Sequence, residues 1–358
     1  MSNEIDGTSI CFTDLTVSQI HGLLKTLGEP GYRVKQIQSW TYKRSATSFD
    51  EMTDLPEPLR RKLAQKMQLH CLTKLRETVS KDRTVKTLFT LADGKTIESA
   101  LMSYPGTEGR YRYTVCVSTQ VGCSIGCSFC ATGQQGFERN LTAGEIIDQV
   151  LYFVRRLKDN DEKDTITNIV FMGMGEPLAN YEALWQAIAT LNSSECFGLG
   201  ARHMTISTAG LIPQIKRLSQ EKLQVGLAIS LHSSDNTLRN KLVPINNKYP
   251  LKELISVCHE YYEITRRRLS FEYILFEDIN DSVVQARNLA ELLIGLNCHV
   301  NLIQANFTKD KHFRPSNKHA VQAFQEELQR LGINCTLRQR KGIDIDAGCG
   351  QLRSRFLK

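Results

Sequence analysis

Three cysteines, Cys123, Cys127 and Cys130, stand in a CxxxCxxC arrangement flanked by Gly122 and Gly126. Thiolates at that spacing on one loop suit an iron–sulfur cluster, because three of them can hold three irons of a 4Fe-4S cube and leave the fourth open to a ligand. Structural zinc prefers a closed set of four ligands, and no fourth ligand lies nearby. A thioredoxin-like pair needs a different βαβ setting, and inert cysteines do not normally cluster so tightly. Two more cysteines draw notice. Cys116 precedes Cys123 by seven residues, and Cys349 sits in the run Ala347-Gly348-Cys349-Gly350. Taken singly, each reads as a small buried residue. Gly173, Gly175, Glu176 and Pro177 form a glycine-rich segment in which backbone can approach a ligand and a carboxylate can accept hydrogen bonds from an amino group. An ordinary βα turn explains that segment equally well.

These residues need a scaffold, and the hydrophobic pattern supplies one. Strands are predicted at 113–118, 167–173, 203–208, 224–231, 269–275 and 299–304. Helices are predicted at 142–158, 181–192, 211–220, 251–265, 282–296 and 318–332. The first opens with Thr142-x-x-Glu145, a capping box. Six βα units in series argue for an α/β fold with a parallel sheet, either open and doubly wound or an incomplete barrel. In both, functional residues gather where strands end. The triplet follows the first strand, the glycine-rich segment the second, and Ser207 and Ser230–His232 finish the third and fourth. Upstream, helices at 15–27, 32–43 and 58–68 suggest a small helical unit. Segments 85–91 and 95–102 read as an antiparallel pair turning at Asp93-Gly94.

The bulk numbers agree with an ordered globular chain: 358 residues, 41% hydrophobic, 23% charged and nine prolines. Residues 1–14 lack the basic and apolar regions of a secretory signal, and no apolar run approaches the roughly 20 residues that span a bilayer. A cytoplasmic location is expected, in which eleven cysteines read as buried small residues plus a few reserved thiolates rather than as a disulfide framework. The net charge of +7 is modest, but nine basic residues (Arg60, Arg61, Lys62, Lys66, Lys74, Arg76, Lys81, Arg83, Lys86) face two acidic ones between 60 and 86. Such a run is by itself most simply a solvated surface. Further groups at Arg266–Arg268 and at Arg338, Arg340 and Lys341 raise the case for a nucleic-acid partner.

CxxxCxxC after the first strand, with Phe129 between the last two cysteines, resembles the radical S-adenosylmethionine (SAM) superfamily. Longer motifs resemble one family within it, that of RlmN and Cfr: YTVCVSTQVGCSIGCSFCATGQQG at 113–136, FMGMGEPLAN at 171–180, SLH at 230–232, VPIN at 243–246 and GIDIDAGCGQL at 342–352. The resemblance runs over nearly the whole chain. The chain is expected to divide into an N-terminal helical accessory domain at 1–84, a β-hairpin linker at 85–108, a partial (β/α)6 TIM-like radical SAM barrel at 109–343 and a tail at 344–358, and the basic run from Arg60 to Lys86 assigns RNA binding to the first. The resemblance implies a 4Fe-4S cluster on Cys123, Cys127 and Cys130, and SAM held by Gly175, Glu176, Ser207, Ser230, Leu231, His232 and Asn306.

The implied reaction is methylation of adenosine in 23S rRNA and in tRNA. Carbons 2 and 8 of adenine are not nucleophilic, so a radical route is required. Cys349 takes a methyl group from one SAM, a second SAM yields the radical that removes a hydrogen from it, and the methylene so formed adds to the ring. Cys116 then resolves the enzyme–RNA adduct as a disulfide with Cys349, after a base removes the ring proton. Glu98 occupies the family's proton-acceptor position, at a longer spacing from Cys116 than in relatives. The adenine must be flipped out of its loop to reach the site. An electron donor such as flavodoxin and a monomeric state are expected. Pro177 matches RlmN rather than Cfr, which favours carbon 2. Two departures stand out: Gln304-Ala305-Asn306-Phe307 replaces Pro-x-Asn-Pro, and Gly348 replaces a common Ala. Carbon 8 methylation of the Cfr type is the alternative within the class. A non-catalytic RNA-binding protein with a structural metal is the alternative outside it, which four closed metal ligands would favour.

Overall fold

The computed structural model describes residues 10–107, 110–160, 165–306 and 312–352. A ten-stranded mixed sheet carries the fold, and its strands lie side by side in chain order. They are β1 Thr73–Val79, β2 Val85–Thr90, β3 Thr96–Pro105, β4 Tyr111–Cys116, β5 Ile166–Phe171, β6 Met204–Thr208, β7 Gly226–Ser230, β8 Leu269–Leu275, β9 Cys298–Gln304 and β10 Cys335–Leu337. The first four pair antiparallel. From β4 to β10 every pairing is parallel.

Six helices join the parallel strands: α1 Ala143–Asp159, α2 Tyr181–Asn192, α3 Ile212–Ser219, α4 Leu251–Thr265, α5 Val283–Leu292 and α6 Lys318–Arg330. Because each helix returns the chain to the strand beside the last, the sheet winds one way and forms a TIM-like, partial (β/α)6 barrel. The capping box of α1 is present in full, with Thr142 Oγ1 accepting from the Glu145 amide (3.2 Å) and Glu145 Oε2 accepting from the Thr142 amide (2.9 Å). Val115, Ile169, Phe171, Ile206, Ile229, Phe271, Val300 and Leu302 are fully buried along the strands, each contributing about 1.5–3 kcal/mol of apolar burial. No helix among the described residues is long and apolar enough to cross a membrane.

The N-terminal helices Val17–Thr26, Arg33–Gln38 and Glu57–Lys66 bury Ile20, Leu24, Val34, Ile37, Leu59 and Leu63 in the same continuous core. The helix expected at 32–43 widens into a π-helical turn at Ser39–Arg44 and ends on Ser45 in the left-handed region. Two features differ from expectation. The boundary at 84 falls inside the β1–β2 hairpin, and the segment expected as a β-hairpin linker carries β2 and β3 of the sheet as far as Pro105; β1 went unread because its exposed edge lacks alternation. The cysteines are not all free thiols: Ile10–Cys11 pairs with Met67–Gln68, which brings Cys11 and Cys71 to a Cα separation of 5.5 Å, and they form a disulfide.

Candidate active site

A cavity of about 1360 Å³, its mouth included, opens at the carboxyl ends of β4–β9. Cys123, Cys127, Cys130, Gly175, Glu176, Ser207, Ser230, His232, Asn306, Cys116 and Cys349 all line it. Segments scattered over the sequence thus converge on one space.

The cysteine loop is held by backbone. The Cys123 amide donates to Gly136 O (2.8 Å) and the Cys130 amide to Cys127 O (3.1 Å). Gly122 has φ +76°, and a Cβ there would overlap Gly136 O. Beneath the loop, Phe129 packs into a small apolar layer with Leu242, Val243, Ile274, Phe276 and Ile303, against which Cys127 and Cys130 also rest. That layer excludes water. Burial pushes the Cys123 thiol up to about 12 and Cys127 higher than an ordinary thiol, a cost that a bound metal would reverse. Among the described residues, the trio whose donor atoms all lie within 4.8 Å of one another is Cys11, Cys71 and Asp148, not this triplet. A single zinc with bonds of about 2.3 Å would need its sulfurs closer than that, whereas a cube gives each sulfur its own iron. The donor set fits a cluster.

Glu176 ends the glycine-rich segment and is buried. Its Oε2 accepts from the Ala209 amide (2.8 Å) and its Oε1 from the Leu178 amide (3.2 Å). Burial raises the carboxyl to about 7 despite those bonds. Gly173 and Gly175 are required by close approach, since a Cβ would lie 2.7 Å from Ser118 Oγ in one case and 2.6 Å from Gln120 Cβ in the other. Ser207 and Ser230 hydroxyls meet at 3.1 Å. His232 is left-handed at φ 60°, its Nδ1 accepts from the Ile274 amide (3.2 Å), and burial followed by nearby Arg239 lowers it to about 3, so the ring is neutral. Asn306 Nδ2 donates to Cys349 O (3.4 Å), while its Oδ1 is buried without a hydrogen-bond partner, a free acceptor facing the site.

Cys349 is open to the cavity yet enclosed by protein, which reconciles its accessible surface with its raised thiol; burial is the cause, and Arg338 acts in the opposite sense. Cys116 is pushed to about 12 by burial and then by Cys349. The tail is docked by side chains: Asp82 Oδ2 accepts from the Gly342 amide (3.0 Å), Asp344 accepts from Ser80 Oγ and from the Lys81 amide (3.2 Å), and Lys86 Nζ donates to Asp346 O (3.3 Å). A Cβ on Gly348 would overlap Asn306 Nδ2, so glycine lets the tail approach more closely than alanine could. Gln304 Nε2 donates to Ser316 O (2.6 Å) and Ala305 is buried, which anchors the departing loop; Phe307 lies outside the described residues.

Two expected residues stand off the cavity wall. Glu98 shares a face of β3 with Met102 and Tyr104, which do line the wall, but it lies deeper, paired with Lys86 (3.5 Å). Leu231 is fully buried and contributes backbone, its amide donating to Glu272 O (3.0 Å). The basic groups divide. Arg338, Arg340 and Lys341 line the cavity; Arg266–Arg268 precede β8 and lie at the opposite end of the barrel from the site.

Sequence reasoning missed Arg239 altogether and read Arg338 only as one of a basic group. Arg239 is fully buried and donates to Leu231 O (3.0 Å), Ala209 O (2.7 Å), Ser230 O (3.2 Å) and Asn246 Oδ1 (2.8 Å), tying the ends of β6 and β7 to the VPIN segment. Nothing in its neighbourhood distinguishes it from a surface arginine. Arg338 bonds Glu272 Oε2 (3.3 Å), and Asn301 braces Glu272 Oε1 (2.8 Å). Its place just past a strand end was the available signal.

A cysteine triplet, a buried carboxylate and an orphan acceptor at the carboxyl end of a partial barrel define a radical SAM enzyme. The radical SAM superfamily model matches residues 117–290, and that of the ribosomal RNA large subunit methyltransferase N-terminal domain matches 11–69. The chain is 44% identical over 340 residues to the probable dual-specificity RNA methyltransferase RlmN of Desulfitobacterium hafniense, covering 95% of each, and 44% identical over 344 residues to that of Geobacillus thermodenitrificans, covering 96% and 93%. It superposes on a radical SAM methyltransferase from Sphaerobacter thermophilus with a TM-score of 0.92 at 47% identity, covering 96% and 99%. The chain belongs to the RlmN/Cfr family of radical SAM RNA methyltransferases, enzymes that use a 4Fe-4S cluster and SAM.

Proposed function

We propose that this enzyme methylates carbon 2 of adenosine in 23S rRNA and tRNA, with Cys349 as the methyl carrier and Cys116 as the residue that releases the product. When bound on Cys123, Cys127 and Cys130, the cluster supplies an electron, and SAM supplies the methyl group and the hydrogen-abstracting radical. The chain's own residues do the rest. Glu176 receives the amino group of SAM, and Gly175, Ser207, Ser230, His232 and the Asn306 carbonyl surround it, with Leu231 giving backbone support. Cys349 accepts the methyl group and presents its carbon to the adenine. Cys116, on strand β4, then attacks the Cys349 sulfur as its thiolate; the disulfide forms as the bond from that sulfur to the methylene carbon breaks, and the carbon keeps the electron pair, takes a proton and leaves as the methyl group of the product. Glu98, with Lys86 against it, takes the ring proton.

The single observation that carries this reading is that Cys116 and Cys349 both line the cavity that holds the triplet. Arg61, Lys62, Lys66, Lys74, Arg76, Lys81 and Arg83 remain exposed on the N-terminal unit and β1–β2 hairpin and give the RNA a basic surface, at which log affinity should fall with log salt. A donor such as flavodoxin delivers the electron, and the chain acts as a monomer. Changing Cys116 to Ala should leave RNA covalently attached through Cys349; free methylated RNA at the normal rate would refute the assignment. Chromatography of the modified nucleoside against 2-methyladenosine and 8-methyladenosine, which share one mass, separates carbon 2 from carbon 8.

A further inference from the structure

The two ends of the N-terminal unit meet far in sequence from the cavity residues, in a polar knot against α1. Cys11 and Cys71 are bonded there. Asp148 of α1 accepts from the Cys71 amide (2.5 Å) and the Thr13 hydroxyl (3.2 Å), and His70 bridges Asp148 Oδ1 and Ala46 O through its two ring nitrogens (2.8 Å each). Asp14 accepts from the Gly144 amide of α1 (2.7 Å). A Cβ on Gly144 would lie 2.7 Å from Cys71 Sγ, so the sulfur rests directly on the first turn of α1.

We infer that Cys11 and Cys71 are a reversible thiol–disulfide site, oxidised by exchange with a low-molecular-weight disulfide, whose closure locks the N-terminal unit onto α1. The thiolate of half-buried Cys71 attacks one sulfur of the reagent and expels one thiolate. Cys11 then attacks the Cys71 sulfur of the mixed disulfide and expels the second. The protein loses two electrons and two protons; the reagent gains both and leaves as two thiols.

Both states are accommodated. Thr13 Oγ1 lies 3.3 Å from each sulfur and Asp14 Oδ2 lies 3.6 Å from Cys71 Sγ, so reduced thiols find acceptors already in place. A metal held by Cys11, Cys71 and Asp148 is the competing reading, but three donors already occupy the Asp148 oxygens. The position also has reach. Gln149, next to Asp148, clamps Ser118 through its amide (2.8 Å) and carbonyl (2.9 Å), and Ser118 Oγ joins Glu98 O (2.5 Å) to the Met174 amide (2.8 Å).

The test uses cluster-loaded protein carrying Cys349→Ala, so that the catalytic pair cannot report, equilibrated without oxygen in glutathione buffers. Alkylation and mass spectrometry should show Cys11 and Cys71 closing together in one two-electron transition. Hydrogen exchange in residues 12–70 and 143–149 should then slow by about tenfold or more. In the same background, Cys71→Ser should exchange at the reduced rate at every glutathione ratio. A pair that stays open throughout, or that closes without changing exchange, overturns the proposal. So does one equivalent of zinc bound by the reduced protein and lost on Cys71→Ser, which would make the knot a metal site.

Discussion

The cysteine loop and the cysteine tail line one cavity and are held largely by different means. Around Cys123, Cys127 and Cys130 the restraints are backbone bonds, forced glycine geometry and an apolar layer. Around Cys349 they are mostly single side-chain contacts from Asp82, Ser80, Lys86 and Asn306, beside one backbone bond in which Gly350 O accepts from the Ala131 amide of the cysteine loop (2.8 Å). A cluster must keep its geometry through electron transfer, whereas a sulfur that first receives a methyl group and later bonds to Cys116 must change position. Rigidity comes from bonds that no rotamer change can break. Mobility comes from bonds that a rotamer change can.

The sharpest way to break this contrast is to damage each side separately. Cys127→Ser should abolish both iron binding and RNA methylation, read by iron analysis and nucleoside mass spectrometry. Cys349→Ser should abolish methylation and leave the iron in place. If removal of Cys349 also empties the cluster, the tail is part of the cluster's support and the contrast fails.

On the rigid side, Glu176→Ala removes one charge-assisted hydrogen bond and should weaken SAM binding by about ten- to a hundredfold, measured by calorimetry on cluster-loaded protein. Burial holds this carboxyl near about 7 when it is unpaired, so an ionised carboxylate, the form that receives an ammonium, accumulates only as pH rises. SAM affinity should climb through pH 7 and level off above it. A flat profile would mean that Glu176 never meets the amino group.

What the sequence disclosed follows the same division. The triplet, the capping box of α1 and six βα units were legible because each is a local pattern, and the observed α2, α4 and β8 match the expected limits. The disulfide, the Arg239 hub and the Lys86–Glu98 pair were not. Each joins residues whose own neighbourhoods look ordinary: Lys86 belongs to a basic run that reads as solvated surface, yet it turns inward to a buried glutamate and a tail carbonyl. Strand β10 is three residues long, too short for periodicity to register.

On the mobile side, Asp82→Ala should lower the methylation rate by about tenfold while iron content stays unchanged, because about one net hydrogen bond to the tail is lost. Burial acts to raise this carboxyl, but hydrogen bonds from Gly342, Thr84 and Ser80 outweigh it and hold it at about 2. Its folded pKa lies below the ordinary 3.8, so its contribution is complete above about pH 4 and is lost as pH falls towards 2. With solvent screening, that contribution is about 1 kcal/mol. Acid titration of the variant should therefore be flatter than that of the parent in this window.

The smallest and most discriminating change is Gly348→Ala. Its Cβ would overlap Asn306 Nδ2 and lie 2.8 Å from Gln351 Oε1, so either the tail backs away or Asn306 rotates. Retreat breaks the bond from Asn306 to Cys349 O and costs about 1 kcal/mol, a fewfold loss in rate with SAM affinity unchanged. Rotation instead moves the orphan Asn306 carbonyl, and SAM affinity falls with the rate. Parallel measurement of SAM affinity and single-turnover methylation separates the two: an affinity loss would place Asn306 with the rigid wall, and a pure rate loss would place it with the moving tail.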